Sequence, residues 1–476
     1  MANTIIQYNA GDIMRSFTYQ SQYKDGNLAL ALAPALTPKG IEQAPGFFRG
    51  FALYPQVLAR GLLVLADVTA TRYFNYTPVA QRDPVLSAQG DRLRAECFSA
   101  CNGVYARLDL LQPGFDGQIG LGTTNVDIGM ELRTALTQIK QKDKLHVNIG
   151  GAGFTASHFS NTSEKIVSLE ENVHERPVQM PDRWVRALGN SAEIHRGMKP
   201  VYTLNGAQAQ AFITMLPSAT GKNQSGWLTP LRTGAKLMPR RSQDSVYISG
   251  LHRLSALKRI LTNISSVTFY MAADGEPGPS MVEVEMPGAR ITLSLTAEAW
   301  HGYSGEGSLL ESLAQQDVLE DADFISTSLE FNAVIDRAQM ARKWDMNEEQ
   351  AQAALSLLAV SGKLGYDTHD NAYFHRELPD DPTRVLKDNP RLVAARKLMD
   401  AVKYSGKNQW TVHSNGSDYR VCVDPLQGAR EAKCTCTWYL NNQNKRGPCK
   451  HILAVQLNEA QLNEAQLNEA QLNEET

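Results

Sequence analysis

Four metal-binding side chains fall in one short window near the carboxyl end of the chain. They are Cys434, Cys436, Cys449 and His451, spaced C-x-C-x12-C-x-H. Thiolates and imidazole are the ligands of a tetrahedral structural Zn²⁺, and four of them close such a site. Residues two apart on a strand face the same way, so Cys434 and Cys436 reach one ion from a strand or hairpin. Gly447-Pro448 turns the chain, and Cys449 and His451 open the helical run Ile452-Leu453-Ala454-Val455. The alternative, two unrelated pairs of buried or free thiols, leaves their clustering unexplained. The spacing therefore points to bound zinc.

The flanks specify the local fold. Gln409-Trp410-Thr411-Val412-His413 and Asp418-Tyr419-Arg420-Val421-Cys422-Val423 alternate apolar and polar residues around Ser414-Asn415-Gly416-Ser417. Asn-Gly between alternating runs is a strong hairpin signal, because both residues tolerate positive φ. A hairpin, a Cys-x-Cys strand and a helix opening with Cys-x-His resemble the SWIM-type zinc finger, a ββ-β-α unit over residues 409–456. A broader resemblance rests on Asp83-Pro84-Val85, the run from Cys97 to Arg107, Gly122-Thr123-Thr124-Asn125-Val126-Asp127 and Phe374-His375-Arg376-Glu377-Leu378-Pro379. These look like segments of a bacterial family of long proteins that end in such a finger. Its members tend to be encoded beside AAA-type ATPases and von Willebrand A-domain proteins. That resemblance implies a partner system and supplies no catalytic residue.

Composition narrows the class. With 476 residues, 42 % apolar and 20 % charged, the chain reads as a multi-domain globular protein. A net charge of −3 gives no global attraction to nucleic acid or membrane. Six cysteines, three of them in the zinc set, suit a reducing cytoplasm better than a disulfide scaffold. The amino terminus shows no signal peptide. The most apolar stretch, Gly61 to Ala66, lies between Arg60 and Asp67 and is far short of the ~20 residues of a membrane span.

In chain order, residues 1–180 read as an α+β domain. Val57, Leu58, Leu62, Leu65 and Val68 mark a helix, Met130 to Ile139 another, and Val104–Leu108 and Leu145–Ile149 strands. Cys97 and Cys101 are at same-face spacing if helical and read as core thiols. Gly151-Ala152-Gly153-Phe154-Thr155-Ala156, with Glu170 beyond, matches a dinucleotide fingerprint. The following Ser157 to Glu164 has a single large apolar residue, so no packed helix follows to hold a pyrophosphate. A nucleotide-dependent enzyme is thus the remote alternative. Residues 181–303 read as a second α+β domain, with a helix over Leu251–Leu261 and strands at Val267–Tyr270, Val282–Met286 and Ile291–Leu295. Glu283 and Glu285 read there as a solvated strand face.

Residues 304–380 read as a winged helix-turn-helix-like module. A helix over Ala333–Lys343 precedes a second one capped by Asn347 and Gln350 and stopped at Gly362. Leu364–Asp367 and Ala372–His375 form the wing. The would-be recognition helix exposes Glu348, Glu349, Gln350, Gln352 and Ser356, with no cation for phosphate or guanine. Residues 305–350 hold 11 Asp/Glu against 3 Lys/Arg, so protein packing is the better reading than DNA binding. The sign reverses over residues 381–455, where 13 Lys/Arg face 6 Asp/Glu. A basic helical linker, 381–408, leads to the finger, and residues 457–476 repeat Gln-Leu-Asn-Glu-Ala without forming an apolar face.

The expected fold is therefore α+β and multi-domain, with a winged-helix-like module and a carboxy-terminal zinc finger. The expected function is non-catalytic: a zinc-binding adaptor for an unidentified protein partner. The alternative is nucleic-acid binding through Lys433, Lys445, Arg446 and Lys450. A membrane is not expected as a partner.

Overall fold

Strand alternation sets the layers of the molecule. The computed structural model describes residues 16–79, 82–151, 176–181, 183–303, 317–378, 390–424, 428–443 and 448–459. Ten antiparallel strands form the main sheet, centred on β1 (Arg92–Phe98), β2 (Val104–Leu111), β3 (Ser280–Met286) and β4 (Ala289–Leu295), in the order β3-β4-β2-β1. A five-stranded sheet, including Gly46–Ala52 and Leu145–Gly150, lies beside it. The main sheet runs straight across the division the sequence suggests at residue 180. β2 pairs with β4 from Val104 opposite Leu295 to Leu110 opposite Ala289, and one hydrophobic core holds residues from both segments. Two segments that each lack a full complement of strands complete a single sheet.

The two faces of this sheet differ in chemistry. Leu93, Ala95 and Cys97 of β1 belong to the apolar core that also buries helix α1 (Pro55–Thr69) along Val57, Leu58, Leu62, Leu65 and Val68. Gly61 permits that approach, since a Cβ there would lie 2.8 Å from Leu108 Cδ1. Cys97 thus lies on a strand and Cys101 in the turn after it; no helix joins them.

The opposite face alternates with the first and carries Arg92, Arg94 and Glu96 on β1, Tyr105, Arg107 and Asp109 on β2, Glu283 on β3 and Arg290 on β4. In strand patterning alone this is a solvated face. The structure covers it. Glu283 is buried, accepting from Tyr270 and Thr292 and pairing with His369 at 2.9 Å, while Glu285 is half-buried. What covers it is the next module, which the sequence could place in order but not in space.

That module comprises helices Asp317–Ser326 and Arg337–Lys343, then α3 (Glu348–Val360), and a hairpin of β5 (Leu364–Asp367) and β6 (Ala372–His375). The capping box forms: Asn347 Oδ1 accepts from the Gln350 N–H and Gln350 Oε1 from the Asn347 N–H. Gly362 ends the helix region at φ +83°. The first expected helix begins four residues late, at Arg337, because Asp336 caps it through the Gln339 N–H. α3 is not the presented helix that its charge pattern suggests. Ser356 is 3 % exposed, and everything from Ala354 to Val360 is buried. Helix α2 (Arg183–Arg196) packs so tightly on it that a Cβ at Gly189 would meet the Val360 carbonyl at 2.7 Å. Gln352 donates to the Tyr373 hydroxyl, which itself bonds Glu193 of α2.

The hairpin docks on the charged sheet face. Asp367, fully buried, accepts from Arg94 at 2.6 Å, Arg107 at 2.8 Å and Arg290 at 3.0 Å, and from the His369 N–H at 3.1 Å. Burial alone raises the Asp367 carboxyl, but Arg107, Arg94 and Arg290 hold it well below the usual carboxylate range. Asp109 bridges Arg94 and Arg107 from beneath, and Arg376 holds Glu96 at 2.7 and 2.9 Å. The Arg94 guanidinium also lies 3.8 Å above the Phe374 ring. Charges this deep are tolerable only because each has partners of opposite sign.

Candidate metal centre

The carboxy-terminal unit is a four-stranded antiparallel sheet of β7 (Val402–Gly406), β8 (Gln409–Ser414), β9 (Ser417–Asp424) and β10 (Gly428–Cys434). Asn415 at φ 51° and Gly416 at φ 74° make the two-residue turn between β8 and β9, with Ser414 opposite Ser417. One sheet face is apolar: Trp410, Val412, Val421, Val423 and Ala432 pack with Ile452 and Val455. The metal-ligand side chains belong to this same core.

Their placement differs from a simple Cys-x-Cys strand. Cys434 is the last residue of β10, whereas Cys436 caps the short helix Thr437–Asn442, an element the sequence did not signal. Thr435 between them is fixed to β9, its N–H on the Arg420 carbonyl and its Oγ1 accepting the Arg420 N–H. Cys449 and His451 come from the start of a helix over residues 450–459, as the spacing predicts. All four ligand atoms lie within 4.8 Å of one another, and all four residues are buried. Cys434 Sγ and His451 Nδ1 are 3.8 Å apart. A tetrahedral ion with Zn–S of about 2.3 Å and Zn–N of about 2.0 Å separates its ligands by roughly 3.5–3.8 Å. The donor set and its size both fit zinc.

Backbone N–H groups already point at the sulfurs. Cys436 N–H donates to Cys434 Sγ and Tyr439 N–H to Cys436 Sγ, each at 3.4 Å. Without a cation these thiols compete for one negative charge: hydrogen bonds from Cys434 and Cys449 pull the Cys436 thiol far down, and the same contacts push Cys434 far up. A divalent ion removes that conflict by stabilising every thiolate at once. The His451 ring stacks on Tyr419 at 4.2 Å, and its buried Nε2 has no partner among the described residues.

Residues 419–457 match the SWIM zinc finger family. The match covers the hairpin's second strand, all four ligands and the start of the last helix. No curated protein shows a significant match to the chain. Among solved structures, the proliferating cellular nuclear antigen of Entamoeba histolytica is 10 % identical, covering 53 % of this chain and 99 % of that one at a TM-score of 0.32. The PCNA2–PCNA3 complex of Sulfolobus tokodaii is also 10 % identical, covering 52 % and 100 % at the same TM-score. At that distance the likeness carries neither fold nor function.

Of the four cations that the sequence singles out in the SWIM finger, Lys433 and Lys450 are described. Lys433 is exposed on the outer sheet face, opposite Cys422. Lys450 is committed inward, its Nζ donating to Ser414 Oγ at 3.1 Å. Lys445 and Arg446 lie outside the described residues. The sheet register instead aligns Lys403, Thr411 and Arg420 in one cross-strand row beside Lys433. Trp410 is 6 % exposed and Trp438 lies under the Arg391 guanidinium at 4.6 Å, whereas Tyr404 of β7, tilted against Trp410, stays 65 % exposed. Of the dinucleotide-like loop, residues 152–156 and Glu170 lie outside the described residues, as do 381–389 of the linker and 460–476 of the repeats. Among the described residues no helix is long and apolar enough to cross a membrane.

Proposed function

We propose that this protein is a non-catalytic, zinc-stapled adaptor that works in the cytoplasm and presents its SWIM finger to a protein partner. One observation carries this reading. The helix over 450–459 serves two cores at once, Ile452 and Val455 packing in the finger and Leu453 and Ala454 in the module of residues 317–375. That module is in turn bolted to the main sheet through Asp367. A finger coupled rigidly to a large body suits transmission of a docking event better than flexible scanning of a strand. We read residues 317–375 as a winged-helix-like packing unit, because α3 is buried from Ala354 to Val360 and its exposed first turn carries Glu348, Glu349 and Gln350 instead of cations. An AAA-type ATPase with a von Willebrand A-domain protein is the partner system the sequence resemblance implies.

Nucleic-acid binding is the second reading, favoured by the exposed row of Lys403 and Arg420 with Lys433 beside it. Affinity purification of the full chain, with and without nuclease and followed by mass spectrometry, separates the two. The adaptor reading expects a protein partner that survives nuclease and is lost from the Cys436→Ser variant. Partners that disappear on nuclease treatment would transfer the case to nucleic acid.

A further inference from the structure

Away from the finger, a cleft of about 530 Å³ opens where the turn joining β1 and β2 meets the start of α2 and the segment after β4. Three guanidinium groups line it, from Arg72, Arg82 and Arg183, and among the described residues no carboxylate does. Trp300, 61 % exposed, stands at the same cleft. A volume of this size lies within the range of small-molecule sites. Arg72 is exposed, Arg82 donates to Gln179 and Arg183 to the Ala100 carbonyl, so each keeps further N–H donors for a ligand.

The turn itself supplies the second observation. Asn102 lines the cleft in the left-handed conformation at φ 59°, with its main chain bonded to Ser99 and Tyr303. Its side chain is 2 % exposed, yet neither Oδ1 nor Nδ2 has a partner among the described residues. Glycine satisfies the same backbone without burying an unpaired carboxamide. A group that pairs both the donor and the acceptor of an amide is the edge of a heterocycle. Beside it, burial pushes the Cys101 thiol up, but the Ser99 hydroxyl and the N–H groups of Phe74, Gly103 and Tyr73 outweigh this and leave it below its usual value. The cleft thus contains its own chemical reporter. Cys97, buried on β1, is held well above its usual value by desolvation.

We propose that this cleft binds a heteroaromatic phosphate of nucleoside-monophosphate size, its phosphate held by Arg72, Arg82 and Arg183, its ring against Trp300 and its polar edge on Asn102. Arginine forks bind phosphate bidentately, and indole faces accept planar rings. Nothing in this site overlaps the metal centre or depends on the adaptor reading.

Iodoacetamide labelling of Cys101 in the full-length protein, read by peptide mass spectrometry, tests it. AMP, adenosine and inorganic phosphate are each added at ~1 mM, a concentration suited to modest affinities. AMP should slow labelling about tenfold and the two fragments much less, as expected when both halves contribute binding free energy. Arg72→Ala/Arg82→Ala should abolish the AMP effect, measured as a ratio within that variant. Asn102→Gly, which keeps the turn, should weaken it. Equilibrium dialysis with radiolabelled AMP gives a readout independent of the thiol. Absence of both protection and retention, or an AMP effect unchanged in the double arginine variant, overturns the proposal; equal protection by phosphate alone overturns its ring-binding half.

Discussion

Arg107 donates from Nη2 to Asp367 Oδ1 at 2.8 Å, joining a central strand of the body to a hairpin 260 positions further along the chain. Neither side chain is more than 1 % exposed. With Arg94 and Arg290 on the same carboxylate, this contact makes the module of residues 317–375 part of the body rather than a tethered neighbour.

Asp367→Asn keeps the shape of the side chain and removes its charge, leaving three buried guanidinium groups short of one anion. Removing one partner of a buried ion network typically costs about 3–5 kcal/mol. Urea unfolding should show the main transition lowered by an amount of that order. A loss below ~1 kcal/mol, the value of an exposed pair, would mean that the network is solvated in solution.

Removing zinc should reach further than the finger. Structural zinc contributes on the order of 10 kcal/mol to folding of finger peptides. Cys436→Ser should release the metal, and because Leu453 and Ala454 lie in the core of the neighbouring module, hydrogen exchange should rise in α3 as well as in β8 to β10. Elemental analysis finding no zinc in the native protein, or full retention in the variant, would refute the site. Exchange confined to residues 409–459 would refute the shared core.

Local signals were legible and long-range ones were not. The capping box at Asn347 and Gln350 and the turn at Asn415-Gly416 depend on residues within a few positions of one another, and the ligand set on two such pairs in one short window, so their spacing carries the geometry. The partners of Asp367 on Arg94 and Arg107 are 273 and 260 residues away, and no local pattern encodes them. No strand was expected over Arg92–Phe98; its alternation separates two faces, and the structure covers both. Glu283 and Ser356 were misplaced for that same reason: each is polar, and each is covered by an element distant in sequence. Cys436 as a helix cap was also hidden, because a cysteine is not a usual capping residue.

Acid should destabilise the body before it protonates the Asp367 cluster. His195, buried against Tyr105 at 4.9 Å between ring centroids, is pushed down to about 3 by burial, with Arg107 and Arg376 adding to this and Asp367 opposing it. Its folded value lies below the unfolded one near 6.5, so the unfolded chain binds the extra proton. Stability is therefore complete above pH 6.5 and falls by about 1.4 kcal/mol per pH unit for this group on the way down. His195→Phe should flatten the dependence of unfolding free energy between pH 7 and pH 5.5, with zinc content checked at each point. An identical slope in the variant would assign the acid sensitivity elsewhere.

The choice between adaptor and nucleic-acid binder turns on salt. A protein that neutralises Z phosphates loses affinity with a log–log slope of roughly −0.7Z on single strands to −0.9Z on duplexes. The exposed face offers Lys403, Arg420 and Lys433, none of them a metal ligand. Lys403→Ala/Arg420→Ala/Lys433→Ala therefore removes about three phosphate contacts while zinc stays bound. If the face binds nucleic acid, titration of the full chain against single- and double-stranded oligonucleotides should give binding whose slope drops by about two to three in the triple variant. If the face meets protein, these cations mainly steer encounter, and the variant slows association with a partner while dissociation changes little. With Trp410 buried and Trp438 engaged, Tyr404 is the exposed ring left on this sheet among the described residues, so the expected result is weak oligonucleotide binding that vanishes at physiological salt. Micromolar or tighter binding there, lost in the triple variant, would replace the adaptor with a nucleic-acid-binding protein.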